Sequence, residues 1–181
     1  MTTQPIQESG MTFGPFNNGQ CFHIEKSRVY ANIQQGVKIA EFLLLKIKNG
    51  DHPVVWIVEA KSSTPRPETQ PNFDDFIAEI REKFVNALSL GLASCLKRHQ
   101  QDDNELPDQF KALNLSLTDV KFVLVINDHQ ESWLPPIQEA LGKALHATVK
   151  TWAFSPPSIV VLNEHLARQH GLIPTGGGGA V

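Results

Sequence analysis

The stretch VVWIVEAKSS, Val54 to Ser63, decides how the rest of the chain is interpreted. Side chains alternate along a strand, so Glu59 and Lys61 share one face with Ile57. Both faces of the segment are otherwise mostly apolar, which predicts a central strand. A Glu and a Lys near the end of such a strand are partly desolvated, and each unpaired charge is costly unless a partner or a cation compensates it.

The preceding segment, residues 37–48, also reads as a strand, and the turn residues after it predict an antiparallel hairpin over about residues 38–62. If the turn centres near Gly50 and Asp51, residue 41 falls opposite residue 60 or 59, which brings Glu41 beside Glu59. Two carboxylates that close repel each other. Either the pKa of one of them rises strongly, or a metal ion holds them together.

A divalent cation is the partner that such a pair of carboxylates favours. With one backbone carbonyl, here that of Ala60, the oxygens of Glu41 and Glu59 make a hard-ligand site suited to Mg²⁺ or Mn²⁺. Lys61 would face the same cavity, where its positive charge could position a nucleophilic water or offset charge on a phosphate. The pattern therefore predicts a metal centre with an adjacent cation.

Glu41, followed by Glu59-Ala60-Lys61 at the end of an apolar strand and then by a long helix and a β-α-β run, resembles the PD-(D/E)xK nuclease superfamily. The resemblance covers roughly residues 22–162. It implies a restriction-endonuclease-like fold and metal-dependent cleavage of phosphodiester bonds in DNA or RNA. It gives Glu41 and Glu59 the places of the two acidic ligands and Lys61 that of the catalytic lysine. The family usually has Asp, often after Pro, where this chain has Ala40-Glu41.

A second tripeptide of the same form, Asp119-Val120-Lys121, occurs in the chain. Average composition gives roughly one such tripeptide by chance in a chain of this length. Asp119 and Lys121 open their predicted strand, and no carboxylate precedes them on a paired strand. The context of Glu59 therefore favours the first tripeptide.

Two further residues are possible accessory members of the site. Glu25 could point from a first strand toward the hairpin, and the alternative is an exposed Glu on an edge strand. Lys83 lies on the border of the apolar stripe of a long helix, from which its amine could reach the cavity. Its alternative is an i to i+4 pair with Glu79 on the helix surface.

The rest of the chain predicts an α/β fold with a mixed sheet. Residues 21–27 read as a strand, residues 72–99 show the clearest helical period, and strands and helices alternate after them. The predicted order is a strand, the hairpin, a long helix, a strand, a helix, a strand and a short helix. This alternation implies a partly parallel sheet with helices on both faces. Residues 1–20 are expected to be a flexible lead-in, 21–173 a single nuclease-like domain, and 174–181 a disordered Gly-rich tail.

The composition narrows the class of protein. A formal net charge of −3 over 181 residues excludes a globally basic nucleic-acid binder, although a local basic groove remains open. The only cysteines, Cys21 and Cys95, show no zinc spacing and fit a reducing compartment. No segment reads as an export signal or a membrane span. A soluble cytoplasmic protein without a membrane partner is expected.

Three functions remain open from the residues alone. The first is the metal-dependent nuclease, which at this size would need a homodimer or a partner protein for specificity. The second is a non-catalytic interaction or regulatory domain with a degenerate site, in which Glu59 and Lys61 form a structural ion pair and Glu41 is solvated. The third is a hydrolase with His23 or His129 as the base, for which no nucleophile stands at a recognisable spacing.

Overall fold

The computed structural model describes residues 1–47, 52–99 and 105–175. Its strands are β1 Ile6–Glu8, β2 Met11–Phe13, β3 Cys21–Phe22, β4 Phe42–Lys46, β5 Val54–Lys61, β6 Asp119–Ile126 and β7 Ile159–Asn163. Its α-helices are α1 Arg28–Ala31, α2 Asn72–Cys95, α3 Asp108–Lys111, α4 Leu134–Trp152 and α5 Glu164–Gln169. Two 3₁₀ turns cover Ile24–Lys26 and Glu131–Trp133.

The main sheet has five strands in the order β3-β4-β5-β6-β7. β4 runs antiparallel to both of its neighbours, whereas β5, β6 and β7 are parallel. Parallel neighbours need a crossover connection, and α2 and α4 lie in those two connections. The predicted mixed α/β architecture with a central hairpin is confirmed. The proposed turn at Gly50 and Asp51 lies outside the described residues.

The long helix α2 packs on one face of the sheet together with α4. Its buried residues include Phe73, Ile77, Ile80 and Phe84, which recur at the helical spacing that predicted the helix. The ring of Phe84 meets that of Phe122 in β6, with centroids 5.4 Å apart. α2 is therefore fixed against the centre of the sheet, on the same face as the side chain of Glu59.

The first twenty residues differ from the flexible lead-in that was expected. β1 and β2 pair as an antiparallel hairpin, hereafter the N-terminal hairpin (residues 6–13). Phe13 is fully buried, and its ring lies 5.4 Å from that of Phe42 in β4, while Phe16 contacts the same ring at 5.6 Å. Two strands of three residues are too short for apolar alternation to be visible in the sequence. The hairpin and α5 cover the face of the sheet opposite α2.

Two strand boundaries also differ from the prediction. The strand expected over residues 21–27 ends at Phe22, and the chain then turns into a 3₁₀ turn and α1. The Ser27 hydroxyl causes the change, because it accepts a hydrogen bond from the Tyr30 N–H at 3.2 Å and so caps α1. β4 begins at Phe42 rather than near residue 37, so Glu41 immediately precedes the strand.

Two other sequence expectations concern the chain end and the membrane. Residues 176–181, most of the predicted disordered tail, lie outside the described part of the chain. Among the described helices, none is both long enough and apolar enough to cross a membrane.

Gly10 in the turn of the N-terminal hairpin offers a test of how firmly the hairpin is held. Gly10 has φ +77°, and an added Cβ would lie 2.7 Å from Asn127 Nδ2, which donates a hydrogen bond of 3.1 Å to the Ser9 carbonyl. Gly36 has a similar φ of +75° with no neighbouring atom within 4 Å. We expect Gly10→Ala to lower the free energy of unfolding by about 1 kcal/mol more than Gly36→Ala, because it adds the loss of that hydrogen bond to the same backbone strain. Urea unfolding measures both, and equal losses would show that the contact with Asn127 contributes nothing.

Candidate functional site

The hairpin of β4 and β5 brings two glutamates together as its register predicted. Phe42 pairs with Val58, and continuing this register by one residue places Glu41 opposite Glu59. The side chain of Glu59 lies on the face of the sheet that α2 covers, where it contacts Lys83. Glu41 is 5% exposed and Glu59 is 0% exposed. Two carboxyl groups are thus withdrawn from water at one end of the hairpin.

Glu59 is compensated by two lysines. The Lys83 amine, from α2, lies 2.7 Å from Glu59 Oε1, and the Lys61 amine lies 3.5 Å from the same oxygen. Burial raises the pKa of Glu59, and the two ammonium groups oppose that shift. Burial alone would favour the neutral amine of Lys83, but the attraction of Glu59 outweighs it and raises the pKa of Lys83. Lys83 therefore reaches Glu59 from α2.

Glu79 takes a different partner from the one considered for it. Its carboxylate accepts hydrogen bonds from Lys61 at 2.8 Å and from Lys38 at 3.3 Å, and these contacts lower the pKa of Glu79. The helix-surface alternative, a pair between Glu79 and Lys83, is not found. Glu79 instead holds the Lys61 amine at the end of β5. From the sequence, Glu79 was considered only as a candidate partner of Lys83.

Glu41 belongs to a second cluster, formed with Glu8, His23 and Glu25. Each of the four residues offers one possible ligand atom, and these atoms all lie within 4.8 Å of one another. Burial raises the pKa of Glu41 to about 9, and the nearby carboxylates of Glu59, Glu25 and Glu8 add to the shift. This cluster, hereafter the acidic cluster (Glu8, His23, Glu25 and Glu41), lies next to the pair of Glu59 and Lys61.

Glu25 stands in a 3₁₀ turn, whereas both interpretations of the sequence had placed it on a strand. Its backbone N–H donates to the Glu41 carbonyl at 3.2 Å, which fixes the turn against the start of β4. Its side chain is 28% exposed and pairs with Lys26 at 3.1 Å. Glu25 therefore joins the acidic cluster from the edge of the sheet.

Three buried atoms at the two clusters have no hydrogen-bond partner among the described residues. They are Glu41 Oε2, Glu59 Oε2 and His23 Nε2. Buried polar atoms in proteins are almost always bonded, so an unpartnered one needs an explanation such as a bound ion or water. Three such atoms lie at one end of the sheet, where a water or an ion would supply the missing partners.

The Ala60 carbonyl, expected to be a metal ligand, contacts the N-terminal hairpin. It accepts a hydrogen bond of 3.0 Å from the Ser9 hydroxyl. Ser9 directly follows Glu8 in the chain, so this bond also positions Glu8 near the acidic cluster. A carbonyl has two lone pairs, so Ala60 could serve both a hydroxyl and a cation.

The second tripeptide lies at the opposite end of the sheet. Asp119 pairs with Val54, seven positions before Lys61 along β5. Its carboxylate accepts hydrogen bonds from the backbone N–H groups of Val120, at 2.8 Å, and Ser155, at 3.2 Å. Asp119 thus satisfies local backbone groups, which agrees with the preference for Glu59.

Sequence reasoning missed Glu8 and His23 as members of the site. Glu8 lies in the segment that was expected to be flexible, and tertiary contacts such as that of Ser9 with Ala60 bring it to the sheet. His23 was considered only as a hydrolase base. Its position two residues before Glu25 was the available signal. The strand expected over residues 21–27 left no place for the turn that directs both side chains to Glu41.

Comparison with known proteins finds no match to a protein family, to a curated protein or to a solved structure. The chemistry of the site is therefore argued from its own residues.

Proposed function

We propose that this protein hydrolyses phosphodiester bonds of DNA or RNA in a reaction that depends on Mg²⁺ or Mn²⁺. Glu41 and Glu59 would bind the metal, and Lys61 would assist the nucleophile or stabilise the phosphate. The observation that carries the proposal is the pair of buried carboxylates facing each other across β4 and β5, each with an unpartnered oxygen. The described residues suit a cation, since their donors are carboxylate oxygens with an adjacent carbonyl.

The metal, when bound, supplies a polarised phosphate and a more acidic water. The residues of the chain do the remaining work. Lys61, at the end of β5, carries a positive charge next to the carboxylates, and Glu79 holds its amine at 2.8 Å. A phosphate entering the site would compete with Glu79 for that amine. Lys83 would stay on Glu59 and keep this carboxylate oriented on the face of the sheet.

A cleft beside Lys61 is suited to a substrate strand. It has a volume of about 550 Å³ and begins at Ser62, the residue after Lys61. Hydroxyls, Arg66 and the half-exposed ring of Trp133 line it, and they offer groups for phosphates and bases. It lies at the carboxyl ends of β5 and β6, where ligands of parallel sheets commonly bind. This position supports substrate binding near Lys61, although neither Glu41 nor Glu59 lines the cleft.

The order of the elements also supports the proposal. The antiparallel hairpin, followed by a helix, a parallel strand, a helix and a further parallel strand, agrees with the order that the resemblance to the PD-(D/E)xK superfamily implies. A restriction-endonuclease-like fold is part of the proposal. Specificity would then depend on a second copy of the chain or on a partner protein.

Cleavage of plasmid DNA and of labelled RNA tests the proposal. We expect wild-type protein to cleave one of them with Mn²⁺ or Mg²⁺ and to cleave neither in the presence of a chelator. The cleavage rate of Lys61→Met should be lower by about 100-fold or more, because one electrostatic contact to the transition state contributes about this much. Lys143→Met is the matched control, because Lys143 forms an exposed pair with Glu139 on α4. Cleavage that persists in the chelator, or in Lys61→Met at the wild-type rate, would contradict the proposed roles.

A non-catalytic interaction domain is the second candidate, and one observation favours it. Glu59 Oε1 already contacts two ammonium groups, as a structural ion pair would require. Glu41, however, is buried rather than solvated as this candidate supposes. Calorimetry with Mn²⁺ separates the two functions. Binding that is lost in Glu41→Ala and in Glu59→Ala supports the nuclease, whereas no binding by folded wild-type protein supports the interaction domain.

A further inference from the structure

The acidic cluster assembles donors from three separate segments of the chain. Glu8 ends β1, His23 and Glu25 follow β3, and Glu41 precedes β4. Metal bonds of about 2.2 Å to oxygen or nitrogen place opposite ligands about 4.4 Å apart. The observed limit of 4.8 Å between the four ligand atoms is only slightly larger. Small side-chain rotations would therefore bring all four onto one ion.

A buried carboxyl oxygen without a partner points independently to a ligand in this cluster, although the Glu41 carboxyl group also shares a hydrogen bond with that of Glu25. Glu41 is 95% buried, and its Oε2 has no hydrogen-bond partner in the described ranges 1–47, 52–99 and 105–175. His23 Nε2 is likewise buried and unpartnered there. A nitrogen and an oxygen with free lone pairs thus lie among three carboxylates.

The N-terminal hairpin is attached to the sheet at the residue next to Glu8. The Ser9 hydroxyl donates to the Ala60 carbonyl at 3.0 Å, and the Ser9 carbonyl accepts from the Asn127 side chain at 3.1 Å. These two bonds join the turn of the hairpin to the ends of β5 and β6. Glu8 is therefore held at the end of the sheet by its neighbour Ser9, which is bonded both to β5 and to the residue after β6.

We propose that Glu8, His23, Glu25 and Glu41 form a binding site for one divalent transition-metal ion, to which the N-terminal hairpin contributes Glu8. An imidazole nitrogen favours transition metals over Mg²⁺, whereas carboxylates accept both, so His23 gives the site a preference for Mn²⁺ over Mg²⁺. The inference deepens the proposed function and rests on it in one respect, because Glu41 is a metal ligand in both proposals. It adds three ligands, Glu8, His23 and Glu25, that the pair of Glu41 and Glu59 does not include.

Mn²⁺ binding to the full chain tests the site. Calorimetry would compare Mn²⁺ with Mg²⁺ for wild-type protein, Glu8→Gln, His23→Gln and the control Glu131→Gln, whose side chain is exposed. We expect wild-type protein to prefer Mn²⁺ by about 10-fold or more, and each of the first two variants to lose about 10-fold or more in Mn²⁺ affinity. His23→Gln should also lose most of the preference, while Glu131→Gln should bind like wild type.

Electron spin-echo spectroscopy of Mn²⁺ bound to the wild-type protein provides a measurement whose main result does not depend on the folding of a variant. Coordination by His23 predicts a ¹⁴N coupling in wild-type protein that His23→Gln removes. Absence of this coupling in wild-type protein, or an unchanged Mn²⁺ affinity in Glu8→Gln, would overturn the proposed site. If Glu59→Ala still abolished binding in that case, the proposed function would stand without the additional ligands.

The two proposals fail in different ways. Mn²⁺ binding that depends on Glu8 and His23 but survives Glu59→Ala, in a protein that cleaves neither DNA nor RNA, would support the metal site and refute the nuclease. No Mn²⁺ binding by folded wild-type protein would overturn both.

Discussion

Replacing Lys83 with Met should lower the free energy of unfolding by about 3 kcal/mol near pH 7. The substitution keeps the length of the side chain and removes the ammonium group that lies 2.7 Å from the fully buried Glu59 carboxylate. Breaking a buried pair from one side leaves a charge in an apolar setting. The Lys61 amine, 3.5 Å from the same oxygen, keeps the loss at the lower end of the usual range.

Lys143→Met is a control that removes an ion pair of the same distance between two exposed side chains. Lys143 lies 2.7 Å from Glu139, and both side chains are well exposed, at 75% and 69%. Exposed pairs of this kind contribute at most about 1 kcal/mol. Urea unfolding of the two variants therefore isolates the effect of burial at equal distance. Similar losses in both would contradict the view that Glu59 depends on Lys83.

The double variant Glu59→Gln with Lys83→Met completes the test. Removing the carboxylate charge together with its partner should recover most of the loss seen in Lys83→Met, because the penalty lies in the unpaired charge. The loss in Lys83→Met should also shrink as the pH falls, since burial raises the pKa of Glu59 and the carboxyl becomes neutral more readily. A double variant that is as unstable as Lys83→Met would assign the effect to packing instead.

Glu41→Gln should stabilise the metal-free protein, by an amount that grows with pH. The pKa of Glu41 is raised from 4.5 to about 9 by burial and by the neighbouring carboxylates. A raised pKa in the folded state means that stability is fully present below the ordinary pKa and is lost as the pH rises toward about 9. Glutamine has no such loss, so the difference between the two proteins should be near zero at low pH and largest at high pH.

The expected size follows from the width of this pH range. Each unit of pKa shift corresponds to at most about 1.4 kcal/mol, and partial access of water reduces this, so we expect about 3 kcal/mol at the alkaline end. Unfolding with a chelator present, at several pH values, measures it for wild-type protein, Glu41→Gln and the control Glu131→Gln. A constant difference between wild-type protein and Glu41→Gln across the range would show that Glu41 does not titrate between the two pKa values.

The hairpin and its glutamates could be predicted because they depend on local pattern. A nearly continuous apolar segment predicts β5, and a turn near Gly50 and Asp51 places residue 41 opposite residue 60 or 59, between which the pairing of Phe42 with Val58 decides. The closeness of Glu41 and Glu59 follows from that pairing. Helix α2 follows in the same way from its period, although it ends at Cys95, before the predicted end.

The rest of the site could not be predicted because it depends on distant contacts. Glu8 is brought close to Glu41 by distant contacts of the N-terminal hairpin, among them the bond from Ser9 to Ala60, 51 residues away in the chain. His23 and Glu25 are directed by a 3₁₀ turn that the Ser27 cap ends, and the apolar pattern of that segment resembles a strand equally well. The partner of Lys61 is Glu79 on α2, and no spacing within either element indicates this contact.

The attachment of the N-terminal hairpin has a consequence for the order of folding. Ser9 contacts Asn127, 118 residues later, and the Gly14 N–H donates to the Leu172 carbonyl at 2.9 Å. Contacts of such separation form late, because a long stretch of chain must be closed before they contribute. Glu8 is synthesised before β6, yet the bond between Ser9 and Asn127 requires the residue that follows β6. The acidic cluster with Glu8 in its observed place therefore requires a sheet that already extends to β6.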